Sequence, residues 1–161
     1  MYKKITFALL VLASSAYAQK KPLDHSVYDS WESIGSKQLS NNGAWASYSI
    51  TPQEGDANLF LQQTLGTQKL KVPRATTTFF SPDAKFAAFT IKPLFKDTRQ
   101  AKIKKKKADE MTKDTLGIAN LATLAITKIP RVKSFKFPES GAAIIAYNLE
   151  KPLDTSKKAK P

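Results

Sequence analysis

Two stretches of the chain carry the same order of apolar and polar positions, 41 residues apart. Residues 39–50 read LSNNGAWASYSI and residues 80–91 read FSPDAKFAAFTI, pairing Leu39, Ser40, Asn42, Trp45, Tyr48 and Ile50 with Phe80, Ser81, Asp83, Phe86, Phe89 and Ile91. Ser-Asn-Asn-Gly and Ser-Pro-Asp-Ala are turn sequences, since Pro presets φ while Asn, Asp and Gly tolerate the left-handed region or bond their own backbone. After each turn the pattern alternates with period two, which sets Ala46, Tyr48 and Ile50 on one face and Trp45, Ser47 and Ser49 on the other. Such alternation is the mark of a strand. Each copy therefore predicts strand, tight turn and second strand, with both faces buried.

A third copy, residues 137–149 (FPESGAAIIAYNL), follows the second at 58 residues, with Tyr147 at the place of Tyr48 and Phe89 and Leu149 at that of the two isoleucines. Between the first two copies, strands are expected at residues 58–63 and 68–72, around a turn at Leu65-Gly66-Thr67, with Pro73 ending the pairing. A period near 40 fits either a four-stranded propeller blade or a helical-pair solenoid, and the period-two alternation selects the blade. The fold class expected is mainly β, a partial β-propeller of two to three antiparallel blades with a short N-terminal helix and a lysine-rich helical excursion.

The helical signals are weaker. In residues 20–35 (KKPLDHSVYDSWESIG), Val27, Trp31 and Ile34 recur at helical spacing, with Asp24 or Ser26 available as a cap. This predicts an amphipathic helix packing Trp31 onto the sheet. Residues 92–136 hold 13 Lys and Arg against 4 Asp and Glu, most of the excess behind the chain's net charge of +13. Within them, residues 98–111 (TRQAKIKKKKADEM) combine good helix formers, Asp97 or Thr98 as cap, and almost no apolar face. They are expected to stand in solvent. Their functional alternative is a contact for nucleic acid, lipid headgroups or an acidic protein, although no aromatic side chain interleaves with the lysines to stack a base. Strand character returns at residues 116–118 and 124–129.

The ends read differently. Residues 1–18 have a basic start, an apolar run of nine from Ile5 and Ala16-Tyr17-Ala18 before Gln19, the three parts of an export signal in order. The run is too short to span a bilayer, so export with cleavage after Ala18 is expected, to a periplasmic or secreted location. Residues 19–149 then form the partial propeller, containing the lysine-rich insertion at 92–136. Residues 150–161 (EKPLDTSKKAKP) lack apolar periodicity and are expected to be disordered. The chain has no cysteine and one histidine, His25, which leaves neither disulfides nor a catalytic zinc site in prospect. His25 reads as a solvated residue, and no catalytic, metal or cofactor residue is assigned.

Several stretches together resemble one family: the export signal, KPLDHSVYDSW, the Ser-Pro-Asp turn before an aromatic-Ala-aromatic strand, KDTRQAKIKKKKADEM and RVKSFKFPESGAAIIAY. They are similar to the beginning of exported serine peptidases of the prolyl oligopeptidase type. The resemblance implies an N-terminal propeller followed, in the family, by a catalytic α/β-hydrolase domain. That domain's nucleophile sits in G-x-S-x-G with Asp and His downstream. None of the six glycines takes part in such a motif and no histidine follows His25. The family's catalytic residues map onto no position, and the chain alone is expected to be inactive.

A propeller closes with about 4 to 8 blades. Two or three leave surfaces uncovered, and the faces carrying Trp45, Phe86 and Ile144 are the ones expected to be open. The leading expectation is a non-catalytic propeller segment whose peptide substrates belong to a catalytic domain outside these residues. A small exported scaffold that recruits a protein through its exposed blade edges is the alternative, and self-association through open blade edges is expected as well. Polyanion binding through the lysines ranks third, nucleic acid is not favoured as a partner, and no membrane span remains after signal cleavage.

Overall fold

The computed structural model describes residues 25–151. Residues 1–18, expected to be an export signal, lie outside the described residues, as does the tail from residue 152 on.

Among the described residues, ten strands form two four-stranded meanders and a hairpin. The first blade runs β1 (Glu32–Leu39), β2 (Trp45–Pro52), β3 (Asn58–Gln63) and β4 (Lys69–Pro73), each antiparallel to the next. The second repeats the order with β5 (Ala75–Phe80), β6 (Phe86–Ile91), β7 (Thr115–Asn120) and β8 (Ile126–Pro130). β9 (Val132–Lys136) and β10 (Ala146–Leu149) pair as the start of a third. The fold is an open, unclosed propeller arrangement. The expected strand at residues 58–63 is present with those bounds, and the two later strand signals are β7 and β8. Between β6 and β7, residues 92–114 leave the sheets.

The two turns hold the repeat through one hydrogen-bond pattern. The Ser40 hydroxyl donates to Asn42 Oδ1 (2.8 Å) and accepts from the Trp45 N–H (2.9 Å), while Asn42 Oδ1 also accepts from the Ala44 N–H (3.0 Å). In the second copy Ser81 donates to Asp83 Oδ1 (2.7 Å) and accepts from the Phe86 N–H (3.0 Å), and Asp83 accepts from the Lys85 N–H (3.2 Å). The fourth turn residue is left-handed in both, Gly43 at φ 69° and Ala84 at φ 55°.

The main core lies between the blades. Trp45, Leu59, Leu61 and Val72 from the first pack against Ala75, Ala87, Phe89, Ile91, Ala119 and Leu121 from the second. A smaller core joins Ala88 and Leu116 to Val132, with Phe135, Phe137 and Ile145 at its edge.

Two expectations are corrected here. The N-terminal helix is a 3₁₀ turn at His25–Ser30, and Ile34 belongs to β1 opposite Ile50. The spacing of Val27, Trp31 and Ile34 is shared by a turn followed by a strand. Trp31 consequently lies half exposed against Tyr28, with ring centroids 4.9 Å apart, instead of packing on the sheet. The second correction concerns faces. Trp45 is buried beneath the second blade, and the open surface of the first blade is the opposite one, carrying Tyr48. Ile144 is exposed, as expected.

The excursion between β6 and β7 contains helix α1 (Phe95–Ile103) and a 3₁₀ turn at Ala108–Glu110. α1 starts three residues before the expected position and has no cap from its own chain neighbourhood. Asp56, on the β2–β3 loop, accepts from the Phe95 N–H (2.8 Å) instead, and Arg99 pairs with Glu54 of the same loop (2.6 Å). No residue of α1 is buried, in line with its reading as a solvated segment.

Candidate functional site

The register between strands shows which residues share a surface. Three rows cross the outer face of the first blade: Leu39–Ala46–Gln62–Lys69, Tyr48–Phe60–Lys71, and Ile34–Ile50–Asn58–Pro73. The matching rows of the second blade are Phe80–Ala87–Ala119–Ile126, Thr78–Phe89–Gly117–Lys128, and Ala75–Ile91–Thr115–Pro130. On the second blade this face is covered by the first. On the first blade it is uncovered among the described residues, with Ile34 and Leu39 exposed and Tyr48, Phe60 and Ile50 half-buried.

The open face is an aromatic shelf with a cationic rim. Tyr48 stacks on Phe60 with centroids 5.3 Å apart and planes 19° from parallel. Lys69 Nζ lies 4.7 Å above the Phe60 centroid, and Lys71 Nζ lies 5.9 Å from it. Cations over ring faces are attracted by the ring quadrupole. These lysines thus cover part of the shelf. Tyr147, the third member of the repeat site, is exposed, because β9 and β10 form a hairpin with no further described strand beyond them.

Two clefts open at the ends of the blades. One, about 410 Å³, lies at the turn end between the second blade and the hairpin, and is lined by Phe79, Phe80, Phe135 and Phe137 with Pro82 and Pro138. The other, about 390 Å³, lies at the opposite end, where Arg74, Lys92, Asp56 and Asp114 meet Ala57 and Phe95. Lys92 and Asp114 pair across it at 2.6 Å. Arg74 Nη1 donates to the Lys92 carbonyl (3.2 Å), and the Arg74 carbonyl accepts from the Lys92 N–H (2.9 Å).

Arg131 repeats this arrangement. Its Nη2 donates to the Glu150 carbonyl (3.4 Å) and its carbonyl accepts from the Glu150 N–H (2.8 Å). Both arginines are left-handed, at φ 63° and 61°, and both follow proline in a Lys-aliphatic-Pro-Arg run, residues 71–74 and 128–131. These clips between successive blades escaped the sequence reading, which aligned only the turns. The signal was the second Lys-aliphatic-Pro-Arg, 57 residues after the first.

Among the described residues, Asp83 is a titratable group that its surroundings clearly affect. The Ser81 hydroxyl bonded to it, with help from the Lys85 N–H and ammonium, holds its carboxyl below the usual range against a smaller opposing effect of burial. His25, assigned no role, is exposed beside Tyr28 with ring centroids 5.2 Å apart.

No protein-family model matches the chain, and no curated protein does. Solved structures do. An acylaminoacyl peptidase in complex with Z-Gly-Gly-Phe-chloromethyl ketone matches with TM-score 0.50 at 14% identity, over 72% of this chain and 17% of that one. The acylaminoacyl peptidase of Pyrococcus horikoshii matches with TM-score 0.52 at 13% identity, over 74% and 18%. The β-propeller domain of the Trilobed protease from Pyrococcus furiosus gives TM-score 0.47 at 17% identity, over 68% and 32%. The likeness is one of fold. This chain spans less than a fifth of the length of either acylaminoacyl peptidase.

Proposed function

We propose that this chain is the N-terminal propeller segment of an exported serine peptidase of the prolyl oligopeptidase type, without catalytic capacity of its own. The observation that carries the reading is the equivalence of the first blade's open face with the second blade's covered one, row by row. A sheet face with Ile34, Leu39, Tyr48, Ile50 and Phe60 along it is built to be covered by another blade. The resemblance of the sequence to that family and the fold shared with peptidase structures support the same reading. In such a protein the blades would restrict which peptides reach the active site, and the catalytic groups would come from elsewhere. Among the described residues no helix is long and apolar enough to cross a membrane, and export rests on residues 1–18 of the sequence.

The test is to assay residues 19–161 against proline-containing and other peptides, with a fluorophosphonate probe alongside. Neither turnover nor serine labelling is expected. Turnover accompanied by a labelled serine of this chain overturns the reading.

A second reading is favoured by the lysine-rimmed shelf: an exported scaffold that recruits a protein through it. Its partner would present an apolar patch flanked by carboxylates, facing Lys69 and Lys71. The DNA downstream of Pro161 separates the two. A continuing frame with further Ser-Pro-Asp repeats and a G-x-S-x-G motif favours the segment, and a stop codon favours the scaffold.

A further inference from the structure

The excursion between β6 and β7 is anchored at its base and bare at its tip. Arg99 is paired with Glu54, Lys92 with Asp114, and the first N–H of α1 with Asp56. Beyond these, Lys102 and Lys104 through Lys107 have no carboxylate within ion-pair distance among the described residues. Five unpaired ammonium groups within six residues repel one another, so their proximity works against the fold.

The backbone holds them together nevertheless. The Lys106 N–H donates to the Ala101 carbonyl (3.0 Å) and the Lys105 N–H to that of Lys102 (2.9 Å), the two bonds of a Schellman closure. Lys105 is the left-handed residue of that closure, at φ 51°, a position where glycine is preferred because an L side chain is strained there. The apolar contact that often accompanies such a closure would join its sixth and first residues, here Lys106 and Ala101. In its place Ile103 stands 70% exposed, with lysines on either side.

We propose that this turn is a contact surface for an anionic lipid bilayer, with Lys102 and Lys104–Lys107 facing the headgroup phosphates and Ile103 entering the interface between them. A bilayer is the polyanion these residues fit. The exposed aliphatic side chain would gain from an apolar layer, which a nucleic acid or a polyacid lacks, and no aromatic residue of the turn offers a base to stack on. This assignment is independent of the peptidase reading, since it involves neither the open blade face nor a catalytic domain.

The test is co-sedimentation of the full chain with vesicles of phosphatidylglycerol and phosphatidylcholine, and with phosphatidylcholine alone. Binding is expected to be much stronger to the anionic vesicles, the excess weakening as salt shortens the Debye length from about 10 Å at 0.1 M to about 3 Å at 1 M. A lysine near an anionic surface contributes about fivefold in partition, so replacing Lys104–Lys107 by Gln together should lower binding by roughly several hundredfold. Ile103→Ser should lower it severalfold at every salt concentration. Circular dichroism of both variants shows whether they remain folded, and changes at exposed positions are expected to leave the spectra intact. The comparison within the full chain also cancels any binding by the apolar N-terminus. Equal binding to neutral vesicles, or a folded four-lysine variant that binds as well as the parent, overturns the proposal. So does tighter binding to duplex DNA or polyglutamate than to the anionic vesicles.

Discussion

The ring of Phe89 lies across Gly117, its cross-strand partner on β7, so closely that a Cβ at Gly117 would stand 2.9 Å from two ring atoms and closer still to a third. The corresponding pair on the first blade is Tyr48 and Phe60, which stack side by side and half exposed. One repeat site thus has two solutions. Where another blade covers the face, glycine lets the aromatic ring fold flat into the core, and where the face is open two rings make a shelf.

The difference predicts unequal costs of truncation. Phe89→Ala should destabilise by about 3–5 kcal/mol, as for other buried aromatics. Tyr48→Ala should cost less than half of that, because its ring is only partly removed from water. Gly117→Ala should destabilise by about 1–3 kcal/mol through overpacking against the ring. Urea unfolding of the three variants checks the order, and a Tyr48 cost equal to that of Phe89 would place the shelf in a covered interface.

Asp83 and Asn42 make the same contacts in equivalent turns, but only Asp83 titrates. Because its folded-state pKa is lowered, its contribution to stability is present above the ordinary carboxylate range and is lost as pH falls through the folded value. Asp83→Asn keeps the oxygen acceptor and should fold. Relative to the parent, the variant should lose less stability between neutral pH and about pH 3, measured by melting temperature. An identical acid profile would mean the Ser81–Asp83 bond does not persist in solution.

Ser81 is fully buried and accepts from the Phe86 N–H. Ser81→Ala leaves that donor and Asp83 short of a partner, at a cost of about 1–3 kcal/mol. Ser40→Ala should behave alike in the first turn. If both were silent to chemical denaturation, the shared turn network would not be what holds the repeat.

Changing Lys104 through Lys107 to Gln together should move the melting temperature by less than about 3 °C, upward if at all, since these exposed charges repel one another. A large drop in scanning calorimetry would show that the excursion is part of the fold and not an appendage.

How far the sequence revealed all this depends on what each pattern encodes. Turn chemistry is local, so Ser-Asn-Asn-Gly and Ser-Pro-Asp-Ala announced β1–β2 and β5–β6 without help. Period two located β3 to the residue. It also separated the two faces of β2 correctly, but nothing along one strand says which face meets a neighbour. Trp45, the largest residue, was placed on the open side, whereas the cross-strand rows put it under the second blade with Leu59 and Leu61. Apolar spacing near the N-terminus misled because Val27, Trp31 and Ile34 fit a helix on spacing alone, while pairing with β2 draws Ile34 into β1. The cap of α1 could not be read locally either, since Asp56 reaches Phe95 from 39 residues away. The shelf of Tyr48 and Phe60 and the arginine clips are likewise products of strand register, legible once the sheets are laid side by side.

The proposed segment reading requires that the open face of the first blade be made for a covering blade. Light scattering of residues 19–161 over a range of concentrations, for the parent and for Phe60→Glu, examines that face. The parent is expected to self-associate or to melt broadly at low temperature, with the added carboxylate on the shelf dispersing any oligomer. A parent that stays monomeric at all concentrations and melts in one sharp cooperative transition would contradict the claim, because such a chain is a finished domain whose Tyr48–Phe60 face needs no cover.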